Sequence, residues 1–494
     1  MSGEKNKEEG YIRKFVNWID ERFGFSKTIL RPQPRYSLHP LYWLGALAFT
    51  AFLIQGFSGM LLLQHYRPIV DQAYESVSMI RDMVPFGRTL ATLHLYCAYS
   101  MIIFAFLHLV RAYFLKQYTR PRELMWIVGV LMGLTALASS FTGYLLPWTV
   151  ISKSAIDVSI GLLMNLPEPI NLWIKTLISG TGSEQELLSR FFAFHVVVLP
   201  AVLLVLFAIK MHMFEVHGAS EPIKRRFMKD VLDYREEAEE KVEWFPEILT
   251  YYLILVFSFI AAILIISTII PSELPPKYTP EEAAKYTPQP EWYFLWMYQI
   301  LKIEIFEGAV GVRVALTLFT ILALIVIFLP FIDRSKKLDI WDRPVQITIG
   351  IIAVVEIFIL TIWGAFTPGM TIPLIDAIIV LGVPAVVIAG IMYLLYRRVK
   401  KIRAGEITLL YEKFIKTSKA RYLAESLIFN LLVCISAAST ANIINLSSLH
   451  TLTIPVFSAL SVILVFSMAL LVKYFVASYC VLYRIKSGCK GVVA

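Results

Sequence analysis

The 494-residue sequence predicts an all-α protein, a polytopic transmembrane helical bundle of about ten spans. Three observations carry that prediction. The chain is 57% hydrophobic and only 17% charged, with a mean hydropathy of +0.66, more apolar surface than a soluble protein of this size could bury. Its apolar residues come in runs of about 20, and each run, rising about 1.5 Å per residue, can cross about 30 Å of hydrocarbon. Charge gathers between the runs rather than within them. The net charge of +9 therefore reads as basic loops on one membrane face and not as a nucleic-acid surface.

The elements follow in order. Residues 1–35 precede the first run, and Met1–Gly10 is too polar to be a cleaved signal peptide. Residues 11–30 are too charged to span, but Phe15, Trp18, Ile19, Phe23 and Phe25 fall largely on one face, which predicts a helix lying in the membrane surface. Region 36–220 holds four spans, at 41–64, 90–114, 124–146 and 190–214. Region 221–396 holds four more, at 249–271, 313–332, 346–366 and 375–396. Region 397–494 is a basic linker followed by two additional spans, 424–445 and 452–476.

Arg111, Lys116, Arg120 and Arg122 follow the second span; Lys224, Arg225, Arg226 and Lys229 follow the fourth. Further basic clusters follow the sixth and eighth. These loops, and both termini with them, are predicted on the inner, cytoplasmic side of the membrane. The loops 147–189 and 271–312 are then outer.

Chemistry enters with the histidines. His94 and His108 lie in the second span, and His195 and His212 in the fourth. An imidazole inside a membrane needs a partner or a task. His94 and His108 are 14 residues apart, which on a straight helix is about 21 Å of rise and about 40° short of four rotations. They share one face at two depths. Spans two and four run in the same direction, so His94 meets His195 at the outer depth and His108 meets His212 at the inner one. Two facing histidines per level form the axial set of a bis-imidazole haem. The predicted cofactors are two non-covalent b-type haems within a four-helix core.

The second pair is less regular. His195 and His212 are 17 residues apart, about 100° out of phase on an ideal helix, with Pro200 between them to kink the helix or permit a bulge. Lys210 is the alternative ligand, disfavoured as an amine, and His217 is about 33 Å from His195 and too far. His212 is preferred. Gly45 and Gly59 in span one, and Gly129 and Gly143 in span three, repeat the 14-residue spacing. Glycine costs a helix about 1 kcal/mol against alanine. Matched pairs beside two cofactor levels therefore predict flat macrocycles against bare backbone, with small-residue helix packing as the competing reading.

Around these residues the stretches "LHLVRAYFLKQYTRPRELMWIVGVLMG", "TGYLLPW", "RFFAFHVVVLP" and "PEWYFLWMYQILK" stand in order. Together they resemble cytochrome b of the quinol-oxidising cytochrome bc complexes. The likeness is greatest to the chloroplast-type form, with its two polypeptides in one chain. It covers roughly residues 11–396, and spans nine and ten depart from it.

The resemblance implies a function. Quinol would be oxidised at an outer site, one electron passing to a Rieske-type iron–sulfur partner and the other through the two haems to quinone at an inner site. Glu291 would accept a quinol proton, beside Pro290, Trp292 and Tyr293, and Tyr144 would line the same pocket. A carboxylate is needed because quinol cannot give up its electrons while keeping both protons. His217 would lie near the inner quinone site, with Glu247 the nearest acid. Tyr251 and Tyr252 stand where mitochondrial-type relatives have a lysine–aspartate pair.

Arg111 would pair with an inner haem propionate. Ala91 replaces an arginine of the family, and Arg88 would substitute for it. Trp43 stands where the chloroplast-type protein attaches an extra haem through cysteine, so no third, covalent haem is expected; none of the four cysteines forms CxxC or CxxCH. The chain has no cysteine–histidine set for an iron–sulfur centre, so a partner must carry it. A cytochrome c or terminal oxidase subunits, a homodimer and the lipid membrane complete the implied partners. The rival readings are a dihaem anchor of a dehydrogenase, which needs no Glu291 loop, and a colourless transporter with histidine proton relays.

Overall fold

The computed structural model describes residue 18 and residues 32–403, apart from 39, 167, 181, 219–240, 288 and 336. The amphipathic segment at 11–30 apart from residue 18, most of the charged inner loop and spans nine and ten fall outside the described residues. Among those described, eight helices are long and apolar enough to cross a membrane, one for each of the first eight predicted spans. They are α1 (Leu44–Leu63), α3 (Gly87–Phe114), α4 (Glu123–Leu145), α7 (Glu184–His217), α8 (Leu249–Ile269), α11 (Gly308–Ile327), α12 (Pro344–Phe366) and α13 (Leu374–Arg403).

Shorter helices intervene. These are α2 (Val70–Met83), α5 (Val150–Leu163), α6 (Ile170–Ser179), α9 (Pro280–Lys285) and α10 (Leu295–Leu301). The segments expected as outer loops are thus substantially helical. α5 buries Val150, Ser152 and Ile156, and its Thr149 hydroxyl caps it by accepting from the Ser152 amide at 3.2 Å. α7 starts likewise on Ser183, whose hydroxyl accepts from the Glu186 amide at 3.2 Å, with Glu184 and Glu186 at the positive end of the helix dipole. The corner between α2 and α3 requires Gly87, because a Cβ there would overlap the Ile80 carbonyl.

The described residues divide into two compact units, one within Met1–Pro288 and Leu316–Asp339, the other within Gln289–Ala315 and Ile340–Ala494. In the first, α1 packs along α3 and α4 along α7, with α8 against α3. α1, α3, α4 and α7 make the expected four-helix bundle. At its middle Ala51, Met101, Ala136 and Leu203 form a buried cluster, one residue from each of α1, α3, α4 and α7. Phe52, Met132 and Phe259 pack against it. Met101 is midway between His94 and His108, and Ala136 midway between Gly129 and Gly143.

α7 is not a uniform α-helix. Phe194–Val198 is a π-helical turn, which places an extra residue in the helix just where His195 stands. Such single π turns recur at functional sites. Sequence reasoning allowed a bulge near Pro200 but did not locate it.

Candidate functional site

At one level of the bundle His94 of α3 faces His195 of α7, with ring centroids 6.1 Å apart and ring planes 78° apart. The His195 Nδ1–H donates to the Ser139 carbonyl at 2.9 Å. His94 Nδ1 lies 3.0 Å from the Ser58 hydroxyl, which itself donates to the Ile54 carbonyl at 2.7 Å and so receives the imidazole proton. Both rings therefore carry their proton on Nδ1 and keep Nε2 bare for a metal. Carbonyl and hydroxyl partners of this kind orient ligating histidines. Sequence reasoning missed Ser58 and Ser139; their signal was proximity to Gly59 and Gly143.

The spacing fits a haem iron. A histidine nitrogen binds a metal at about 2 Å, and its ring centre lies roughly 1 Å behind, so two imidazoles sharing one iron stand about 6 Å apart. The glycines complete the fit. A Cβ at Gly143 would lie 2.5 Å from His195 Cε1, and one at Gly59 would lie 3.2 Å from His94 Cε1. The helix backbone is bare just where each ring stands.

The second level repeats the pattern in part. A Cβ at Gly45 would lie 3.4 Å from His108 Cε1. Buried His108 Nδ1 finds no hydrogen-bond partner among the described residues. Gly129, the fourth glycine, faces Lys210: a Cβ there would lie 2.7 Å from the Lys210 Nζ. His212, expected opposite His108, is exposed and is not brought against Gly129.

The remaining predicted residues are placed as follows. The Arg111 guanidinium lies over the Tyr42 ring, 4.0 Å from its centroid. Arg88 is exposed and pairs with Asp82 at 2.7 Å; it is not brought to the histidines. His217 ends α7, and its carbonyl accepts from Arg122 at 3.0 Å. Tyr144 sits edge-on to Phe141 at 5.5 Å, against a core of Leu145, Leu146, Trp148 and Ile156. Trp43 stacks on Tyr252 at 5.2 Å and contacts Tyr251 at 5.9 Å.

In the second unit the glutamate loop is pinned at both ends. The Gln289 amide donates to the Gly364 and Ala365 carbonyls at the end of α12, at 3.3 and 3.2 Å. Buried Gln299 of α10 bonds to Thr367 at 3.2 Å, and the Lys302 ammonium donates to the Thr367 carbonyl. Burial lowers the Lys302 pKa to about 8. Between these anchors Glu291 precedes the short turn Trp292–Phe294 without capping it through its side chain. Tyr293 is buried, with Trp292 edge-on to it at 5.5 Å.

Eight membrane spans, with a bundle whose facing histidines lie against bare helix backbone, define a membrane-embedded cytochrome. Residues 99–276 match the cytochrome b (N-terminal)/b6/petB family, and residues 279–383 match cytochrome b (C-terminal)/b6/petD. The cytochrome b subunit of the cytochrome bc complex from Chlorobaculum thiosulfatiphilum is 32% identical over 351 residues, 70% of this chain and 79% of that protein. The menaquinol:cytochrome c reductase cytochrome b subunit of Bacillus subtilis is 36% identical over 225 residues, 43% of this chain and all of that protein. Among solved structures, a hyperthermophilic respiratory Complex III chain superposes with a TM-score of 0.61 at 25% identity, covering 77% of this chain and 96% of that one. The chain belongs to the cytochrome b family of bc-type quinol oxidoreductase complexes, with the family's two parts fused.

Proposed function

We propose that this chain is the dihaem cytochrome b that splits the two electrons of quinol between an iron–sulfur partner and a route across the membrane. The observation that carries the reading is the register of four glycines on α1 and α4 with side chains of α3 and α7 at two levels. When bound, haem supplies a one-electron carrier at each level. His94 and His195 would hold one, and His108 with a residue of α7 the other. Ser58 and Ser139 fix the imidazole tautomers at the first level, and the Ala51–Met101–Ala136–Leu203 layer holds the levels apart.

Glu291 is the proposed acceptor of a quinol proton. Its loop is held by Gln289 and Gln299, and its side chain does not cap the adjacent turn. Quinol cannot release its electrons while keeping both protons, and a carboxylate held in this loop supplies the base. The bias of basic residues in the loops supports an orientation with the His94 level toward the outer side. Charge moving inward works against the membrane potential at about 2.3 kcal/mol per electron per 100 mV.

The test has two parts. The purified complex should contain two non-covalent haems per chain and a b-type reduced-minus-oxidised spectrum; a colourless chain refutes the reading. Glu291→Gln should slow quinol oxidation by about 10²-fold or more while both haems stay bound. Unchanged turnover removes the proton-acceptor role.

A further inference from the structure

We propose that Lys210, and not His212, is the second axial ligand at the His108 level, so that this haem is held by an imidazole on one side and a neutral primary amine on the other. The proposal rests on the dihaem reading above and deepens it.

The glycine pattern is the first argument. Each of three glycines abuts a histidine: Gly59 meets His94, Gly143 meets His195 and Gly45 meets His108. The fourth, Gly129, is 14 residues from Gly143 on the same helix, and the Lys210 side chain is all that a Cβ there would meet within 4 Å. Lys210 thus occupies the place that the other three corners of the bundle give to a ligand.

The register of α7 is the second. His94 and His108 are 14 residues apart on a helix of ordinary geometry. His195 and Lys210 are 15 apart, but the π turn Phe194–Val198 absorbs one residue. Fifteen residues through such a turn keep nearly the phase of 14 without it, about 40° short of four rotations. His212, two residues further, is rotated by about 200° from Lys210. It lies on the exposed face, where lipid would stand.

The third is the isolation of the amine. Lys210 makes no hydrogen bond or ion pair among the described residues, and its electrostatic neighbour across the bundle is His108. A lysine inside a membrane without a carboxylate is costly as an ammonium. Holding a haem would resolve the cost: as a ligand the amine would be neutral, its proton released to solvent and its lone pair directed at the metal. Haem iron accepts nitrogen donors at both axial positions. His108 presents the opposing nitrogen.

The experiment is low-temperature EPR with near-infrared magnetic circular dichroism on the oxidised, intact complex, in which the ligand-to-iron charge-transfer band distinguishes bis-imidazole from imidazole–amine ligation. One haem of each kind is expected in the wild type. Lys210→Ala should reduce haem from two per chain to about one, Lys210→His should retain two and convert both signatures to bis-imidazole, and His212→Ala should change neither content nor spectrum. Two bis-imidazole signatures in the wild type overturn the proposal while leaving the dihaem reading intact. So does a haem lost from His212→Ala and retained in Lys210→Ala. Fewer than two haems in the wild-type complex overturns both.

Discussion

A single methyl group tests the site at the scale of one residue. Gly143→Ala puts a Cβ 2.5 Å from His195 Cε1, closer than carbon atoms tolerate, so the imidazole must leave its bond to Ser139. Loss of about one haem per chain is expected by pyridine haemochrome assay, with the His94-level signal missing. Gly133→Ala on the same helix meets nothing within 4 Å and should keep full haem, with stability unchanged or raised by up to about 1 kcal/mol. The 14-residue spacing of His94 and His108 was legible because α3 is regular between them. The position proposed for the fourth ligand, Lys210, was not, because straight-helix arithmetic cannot see a π turn. Placing the turn at Phe194–Val198 changes which side chain points inward.

At the scale of elements, the eight spans were readable because each is a long apolar run bounded by charge. The short helices α2, α5 and α6 were not, since runs of 10–14 residues in proline-punctuated segments give a weak period. Nor could sequence reveal the clasp below α3 and α4. There buried Lys116 meets Asp333 at 3.1 Å and donates to the Ser335 carbonyl at 2.6 Å, while the Tyr118 hydroxyl donates to Asp333 at 2.8 Å. Asp333→Asn leaves the ammonium without its counter-charge and should destabilise the bundle by about 3–5 kcal/mol. A lower temperature of haem loss measures this. Burial alone would raise the Asp333 pKa, but the bonds from Tyr118 and Lys116 outweigh it and hold the carboxyl below the usual range. A lowered folded-state pKa means stability present above the ordinary carboxylate pKa and lost as pH falls through the folded value. The acid-side decline of the wild type should therefore be shallower in Asp333→Asn.

At the scale of the whole molecule, the residues proposed to hold haem all lie on α1, α3, α4 and α7, before His217. A chain ended after Arg403 should keep both haems, as absorbance of the purified complex would show; loss of either gives the last 91 residues a part in cofactor binding. The resemblance predicted two family parts fused in one chain, and the matches at 99–276 and 279–383 show both. The layer of Ala51, Met101, Ala136 and Leu203 has one more consequence. It is built from alkyl and thioether groups, backed by Phe52, Met132 and Phe259, and offers no ladder of hydroxyls or carboxylates. An electron can tunnel through such a septum, but a proton has nothing to hop along. The middle of the bundle is thus a filter by chemistry, passing electrons and refusing protons, so the electron route proposed for this chain would open no return path for protons across the membrane.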